Sequence, residues 1–220
     1  MVRLAVKRGL DIAAAAAGLI VLSPVLAWVA LAVAVADGLP ILFRQERPGL
    51  NGEPFVIVKF RTMRSPRGRE VWYLTDEQRI TRLGRFLRAT SLDELPELWN
   101  VLRGDMSLVG PRPLLMEYLD KYDHEERRRH DMRPGITGWA VVNGRNVLRF
   151  RDRLQLDIWY VDHWSFLLDI KILAMTATQV LLRTDVSTTD LALGFPLPGV
   201  DADTHSQPGT AGRPVDRETQ

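Results

Sequence analysis

Hydrophobic and polar positions divide this chain into three zones. The first holds a run from Ala13 to Ala36, 24 residues without a charge, interrupted only by Ser23 and Pro24. As one helix at ~1.5 Å per residue it would reach ~36 Å, enough to cross a bilayer. Pro24 lacks a backbone donor and clashes with the preceding turn, so the run is expected to kink near its middle. The Ser23 hydroxyl is placed to satisfy a carbonyl freed there. Each half alone is only ~18–20 Å long, short of a ~30 Å hydrocarbon core. Basic residues flank both sides, with Arg3, Lys7 and Arg8 before and Arg44, Arg47, Lys59, Arg61 and Arg64 after. A re-entrant hairpin would keep both flanks at the cytoplasmic face, whereas a span would leave one outside. Hairpin and span both stay open on this pattern. A cleaved leader fits less well, because the run is long and Phe43-Arg44-Gln45-Glu46-Arg47 offers no cleavage logic.

The second zone alternates short elements. Ile41-Leu42-Phe43 and Pro54 to Phe60 read as strands around a Pro-Gly and Asn-Gly turn. Ser65 to Glu70 reads as a polar loop. Asp76 to Ala89, Pro96 to Arg103 and Leu114 to Asp131 read as helices, the second closed by Gly104. Ala140-Val141-Val142 reads as a short strand, and Asp152 to Tyr160 and Ser165 to Arg183 as helices. Trp159, Tyr160, Trp164 and Phe166 near the last helix suit either a bilayer interface or a packed core. The third zone, from Pro196 onward, has almost no large apolar residues and reads as disordered. The expected division is 1–36, 37–190 and a tail at 191–220. The expected fold class is α+β, mostly helical: a membrane helix-break-helix, then a small globular domain with a short β-hairpin and interfacial amphipathic helices.

Composition narrows the chemistry. The chain has no cysteine, which excludes disulfides, thiolate catalysis and zinc-cysteine sites. Its net charge of +2 gives little bulk attraction to nucleic acid, and no nucleic-acid partner is expected. An acidic tail after Asp185 offsets a more basic body. No Walker loop, His-x-x-x-His pair or dinucleotide fingerprint is present.

The block Ser91 to Pro113 carries the densest candidate chemistry. Asp93 and Glu94 are adjacent carboxylates at a helix start, and on a helix they would diverge by about 100°. An ordinary aspartate is ionised at neutral pH and needs no base to act as a nucleophile. Attack on a phosphate would need gathered cations, and Mg²⁺ is the usual supplement. Ser91-x-x-Glu94 equally matches a helix capping box. In Gly110-Pro111-Arg112-Pro113 two prolines stiffen the backbone around a guanidinium, which suits phosphate or a solvated turn. Lys59 and Arg61 would share one face of a strand, Arg145 follows an Asn-Gly turn, and His130 reads as a surface residue. Asp157 and Asp169 read as salt-bridge partners, and Arg103-Gly104-Asp105 as a helix stop.

Taken together, Lys59-Phe60-Arg61-Thr62-Met63, the Ser91 to Pro113 block, Arg133 to Trp139 and Asn143-Gly144-Arg145-Asn146 resemble the bacterial sugar transferases, the monotopic phosphoglycosyl transferases. The resemblance runs from about Lys7 to Arg183. It implies a re-entrant helix broken at Ser23-Pro24, an Asp93-Glu94 dyad, and Mg²⁺ near Asp93. It implies phosphate-binding roles at Lys59 and Arg112, and less directly at Arg88 and Arg145. The implied reaction has two steps. Asp93 takes a sugar phosphate from a UDP-sugar with release of UMP, and a polyprenyl phosphate, as undecaprenyl phosphate, then accepts it. The implied location is the cytoplasmic face of a bacterial inner membrane, with membrane lipids as partners; on physical grounds, the charges of Lys7 and Arg8 suit lipid headgroups there. Family members often carry Gln where this chain has Glu97 and Val141. The competing expectations are a membrane-anchored binding module without catalysis, and a spanning adaptor. The sugar, the glycan pathway and the oligomeric state are not encoded in any recognisable motif.

Overall fold

The computed structural model describes residues 2–64, 76–144 and 149–182. Arg145, the Ser65 to Glu70 loop and the tail at 191–220 lie outside the described residues. Helix α1 spans Val2–Val21 and α2 spans Ser23–Asp37, and the two are bent by 62° at Leu22. The bend has a local cause. A helical residue at position 24 would donate to the carbonyl of Ile20, and Pro24 cannot. Ser23 Oγ donates to that Ile20 carbonyl instead, at 2.7 Å. No single helix among the described residues is long and apolar enough to cross a bilayer.

The polarity of α1 is inverted relative to a soluble surface helix. Its buried positions are Lys7, Asp11 and Ala15, one stripe at a spacing of four. Val2, Leu4, Val6, Leu10, Ile12, Ile20 and Val21 are exposed. Lys7 Nζ meets Asp169 Oδ2 at 2.6 Å, and Tyr160 and Trp164 donate to the same carboxylate. Arg8 donates to the carbonyls of Val101, Leu102 and Met106 at a helix end, where a cation is favoured. Asp11 accepts from Ser107 Oγ and the Leu108 amide. Lys7 and Arg8, expected at lipid headgroups, both make their hydrogen bonds to protein groups, Lys7 buried and Arg8 half-buried.

Strands β1 (Leu42–Pro48) and β2 (Pro54–Phe60) form an antiparallel hairpin, with Phe43 opposite Lys59 and Gln45 opposite Ile57. Sequence pattern ended β1 too early, at Phe43, because Arg44 to Arg47 are polar. The polar residues continue the alternation, and their inward members line a cavity. The expected helix at 76–89 is two elements, α3 (Asp76–Arg79) and α4 (Arg82–Ala89). Thr81 separates them and caps α4, its side chain accepting from the Gly84 amide at 2.8 Å. Helix α5 spans Glu97–Arg103 and ends at Gly104, which takes φ of 106°.

Three parts of the chain differ from expectation. Strand β3 (Ser107–Val109) pairs in parallel with β4 (Gly135–Thr137), a pairing between distant segments with no local signal. Leu114 to Asp131 is not one helix. A 3-10 turn covers Met116–Lys121, the short helix α6 (His124–Arg127) starts at an Asp123/Glu126 capping box, and another 3-10 turn follows. The competing cap at Asp123 and the extended Tyr122 interrupt the periodicity. Trp139–Val142, expected in part as a strand, is the helical turn α7 after Gly138. Helices α8 (Phe150–His163) and α9 (Phe166–Leu182) complete the described chain. The result is α+β and mostly helical, as expected.

One core cluster joins Ala15 of α1 to Phe55, Ile57, Val101 and Met106, so α1 is packed onto the globular part. The ends of β3 and β4 approach so closely that side chains are excluded. A Cβ on Gly110 would lie 2.3 Å from the Arg133 carbonyl oxygen, and one on Gly138 would lie 2.2 Å from the Gly110 oxygen. Gly110→Ala is expected to destabilise the fold by on the order of 2–4 kcal/mol, read by thermal or denaturant unfolding. A variant as stable as the parent would mean that these backbones separate at little cost.

Candidate active site

Ser91 sits in the left-handed region with φ of 53°, and Leu92–Glu94 form a 3-10 turn ahead of α5. Successive residues of a 3-10 turn diverge by about 120°, so Asp93 and Glu94 face different surroundings. The Ser91 side chain makes no cap hydrogen bond. The capping box is thus absent. Glu94 turns instead toward two cations: its Oε1 accepts from Lys59 Nζ at 2.9 Å and from Arg112 Nη2 at 2.8 Å.

Asp93 has the opposite character. Its carboxylate is nearly buried, lines a cavity of about 280 Å³, and accepts no hydrogen bond from any described residue. Burial first, then the neighbouring Glu94 charge, pushes its pKa up to about 6, while Lys59, Arg88 and Arg112 pull the other way. Two adjacent carboxylates therefore have separate tasks. Glu94 is fixed by ion pairs, and Asp93 presents free oxygen atoms to the cavity.

Lys59 comes from β2 and reaches both Glu94 and Glu97. Glu97 Oε1 lies 2.9 Å from Lys59 Nζ, at ion-pair distance but off the line of a good hydrogen bond. Burial acts to lower the Lys59 pKa, but the two carboxylates outweigh it and the net direction is upward. Burial lifts Glu97 to about 7 despite Lys59. Glu97, one of the two departures from the family pattern, is placed against Lys59. Val141, the other departure from the family pattern, is a buried apolar residue.

Arg88 reaches the same cavity from α4. Its Nε donates to Thr62 Oγ1 at 2.9 Å, and its buried Nη1 has no hydrogen-bond partner among the described residues. The Arg112 carbonyl accepts from Arg129 Nη2 at 2.6 Å, and Arg129 is itself buried on Asp157. Pro111, Pro113 and Arg129 together fix the backbone that carries Arg112. Arg61, paired in sequence with Lys59, caps the end of α2 by donating to the carbonyls of Asp37, Gly38 and Leu39. His130 is buried and not on the surface, with Nδ1 3.2 Å from the Gly49 carbonyl. Burial first, then Arg129, lowers its pKa to about 4, so it is neutral near pH 7.

Sequence reasoning missed Arg47. It lines the cavity beside Gln45, to which its Nη2 donates at 2.7 Å, and its buried Nε has no hydrogen-bond partner among the described residues. Strand alternation carried past Phe43 would have found it, since 43, 45 and 47 share a face with 57 and 59. Asn100 was also missed. It accepts from the Val58 amide and donates to the Val56 carbonyl, fastening α5 to β2 beneath the site.

Among the described residues no group of three metal-ligating side chains forms a cage. Mg²⁺ does not require one, since it keeps waters and commonly takes one or two carboxylates plus substrate phosphates. The unengaged hard oxygen atoms of Asp93 fit that habit. Asp93 is the residue that would hold the ion.

A buried dyad split between a cation-held and an unengaged carboxylate, with Lys59, Arg88 and Arg112 beside it, is suited to an anionic group. Comparison with known proteins then gives the family. Residues 2–183 match the family model described as bacterial sugar transferase, and the chain belongs to that family. It is 48% identical over 184 residues to the sugar transferase EpsL of Bacillus subtilis, covering 84% of this chain and 91% of that one. It is 46% identical over 189 residues to the UDP-glucose:undecaprenyl-phosphate glucose-1-phosphate transferase of Caulobacter vibrioides, covering 81% and 70% of the two chains. A protein of the same name from Escherichia coli is 41% identical over 180 residues, 77% of this chain but 39% of that one.

Proposed function

We propose that this chain is a phosphoglycosyl transferase that moves a sugar 1-phosphate from a UDP-sugar to polyprenyl phosphate, in the form of undecaprenyl phosphate. The names of its relatives support the reaction class. The observation that carries the mechanism is the unengaged Asp93 carboxylate among Lys59, Arg88 and Arg112. An Asp93 oxygen attacks the β-phosphorus, the bond from that phosphorus to the bridging oxygen breaks, and UMP leaves with the electron pair. An oxygen of the lipid phosphate then attacks the same phosphorus, and the Asp93–phosphorus bond breaks to restore the carboxylate. Bound Mg²⁺ would supply charge neutralisation at the diphosphate. Arg88 and Arg112 bind phosphate oxygens, and Lys59 and Arg112 hold Glu94 in place. The test uses UDP-sugar alone. Intact protein should gain the mass of one sugar phosphate at Asp93 with release of UMP. UMP formed only when both substrates are present, with no mass gain, would remove the covalent step.

The same reading places the chain at a bilayer as a monotopic protein on the cytoplasmic face of the bacterial inner membrane. The inverted polarity of α1 supports it, as do the exposed Trp28, Leu31 and Val35 of α2 and Leu167, Ile170 and Leu181 of α9. The bend between α1 and α2 suits a re-entrant hairpin, which would keep both basic flanks on one side. The parent has no cysteine, so single thiols report position cleanly. Val2→Cys and Leu39→Cys should both be labelled only from the cytoplasmic side. Labelling of the two from opposite sides would establish a span.

A further inference from the structure

A second cavity, of about 440 Å³, lies behind the dyad and has no part in the chemistry above. Its walls come from Gly18 and Leu22 of the membrane-seeking α1, Leu95 and Leu98, and Leu173 and Val180 of α9. Three of the polar side chains in its wall are bonded to protein groups. Thr137 and Thr176 bond each other at 2.7 Å, and Gln179 donates to the Val142 carbonyl. Ser91 and Glu94 line both this cavity and the polar one, so the two meet at the dyad. Exposed Ile20, Val21, Leu173 and Val180 lie near its α1 and α9 walls.

Resting on the proposed function, we infer that this apolar cavity seats the first isoprene units of the acceptor lipid. The junction has the polarity of an amphiphile: cations on one side of Glu94 and hydrocarbon on the other. A lipid phosphate that enters beside Asp93 must leave the start of its tail somewhere, and the polar cavity, lined by Lys59, Arg88 and Arg112, is unsuited to it. Each methylene buried contributes roughly 0.8 kcal/mol, so a short enclosed length of tail suffices to favour long prenyl chains over water-soluble ones.

The test fills the cavity from two walls, with Val141→Phe, since Val141 also lines it, and, separately, Leu173→Trp. Both variants should gain sugar phosphate mass from UDP-sugar alone at the parent rate, which also reports that they fold. Both should lose roughly tenfold or more in kcat/KM for undecaprenyl phosphate. The preference of the parent for that acceptor over a two-isoprene prenyl phosphate should fall toward unity. A prenyl phosphate with a photoreactive first isoprene unit should label α1 or α9 at this cavity in the Asp93→Asn protein. Variants that load normally and keep the parent's chain-length preference would overturn the tail site alone. Labelling there by photoreactive phosphatidylglycerol in place of the prenyl probe would overturn it in favour of a structural lipid. Crosslinks between two copies through these residues would overturn it in favour of a protomer interface. Failure of the parent to load would overturn the functional reading, and this inference with it.

Discussion

Asp93→Asn is expected to lose at least about 10³-fold in UMP release while gaining thermal stability. The loss follows from removing the dyad carboxylate that accepts no hydrogen bond from any described cation. The gain follows from the raised pKa. Burial, then Glu94, lifts Asp93 from 3.8 to about 6, so between those values the native state binds more protons than the unfolded chain. Stability contributed by this group therefore falls as pH rises through that window, and the full cost is present at neutral pH. Two pKa units correspond to about 3 kcal/mol, and on the order of 1–3 kcal/mol should return with a neutral amide. The gain should shrink toward pH 4, where the native aspartate is already protonated. Calorimetry of both proteins across pH 4–8, beside a UMP-release assay, reads both effects. Parent-level turnover in the variant would dismiss Asp93 as nucleophile. Loss of stability would point back to a capping role, which the left-handed Ser91 and the pairing of Glu94 with Lys59 and Arg112 already disfavour.

Lys59→Met should be the more damaging substitution for the fold. Lys59 stands between Glu94 and Glu97, both nearly buried, and its removal leaves one or both charges uncompensated. Breaking such a pair costs about 3–5 kcal/mol. Glu97→Gln added to Lys59→Met should recover part of this, because the second carboxylate no longer needs a counter-charge. A strictly additive double-mutant cycle would mean that the two side chains do not couple. The same substitution has a catalytic signature. Lys59 is the largest influence lowering the Asp93 pKa, so without it that pKa rises above about 6. The acid limb of kcat/KM should move to higher pH, and activity near neutrality should fall as the protonated, non-nucleophilic fraction grows. An acid limb unmoved in the variant would separate Lys59 from Asp93 electrostatically.

Local chemistry was legible in the chain. The break at Ser23-Pro24 needs only a missing donor and a hydroxyl one residue away, and it occurs where expected. The β-hairpin, the helix stop at Gly104 and the ordered motifs of the family were readable for the same reason: neighbours along the chain encode them. What tertiary structure decided is the use of each charge. Nothing in Asp93-Glu94 says which carboxylate is held and which is free, because the holding cations lie 35 and 18 residues away, at Lys59 and Arg112. Nothing in Lys7 forecasts a buried partner 162 residues distant at Asp169. Sequence periodicity reports which side of an element is polar, but whether that side meets solvent, lipid or protein depends on what is packed against it. In α1 the polar stripe meets protein and the apolar one faces outward, and only the assembled fold could assign them that way round.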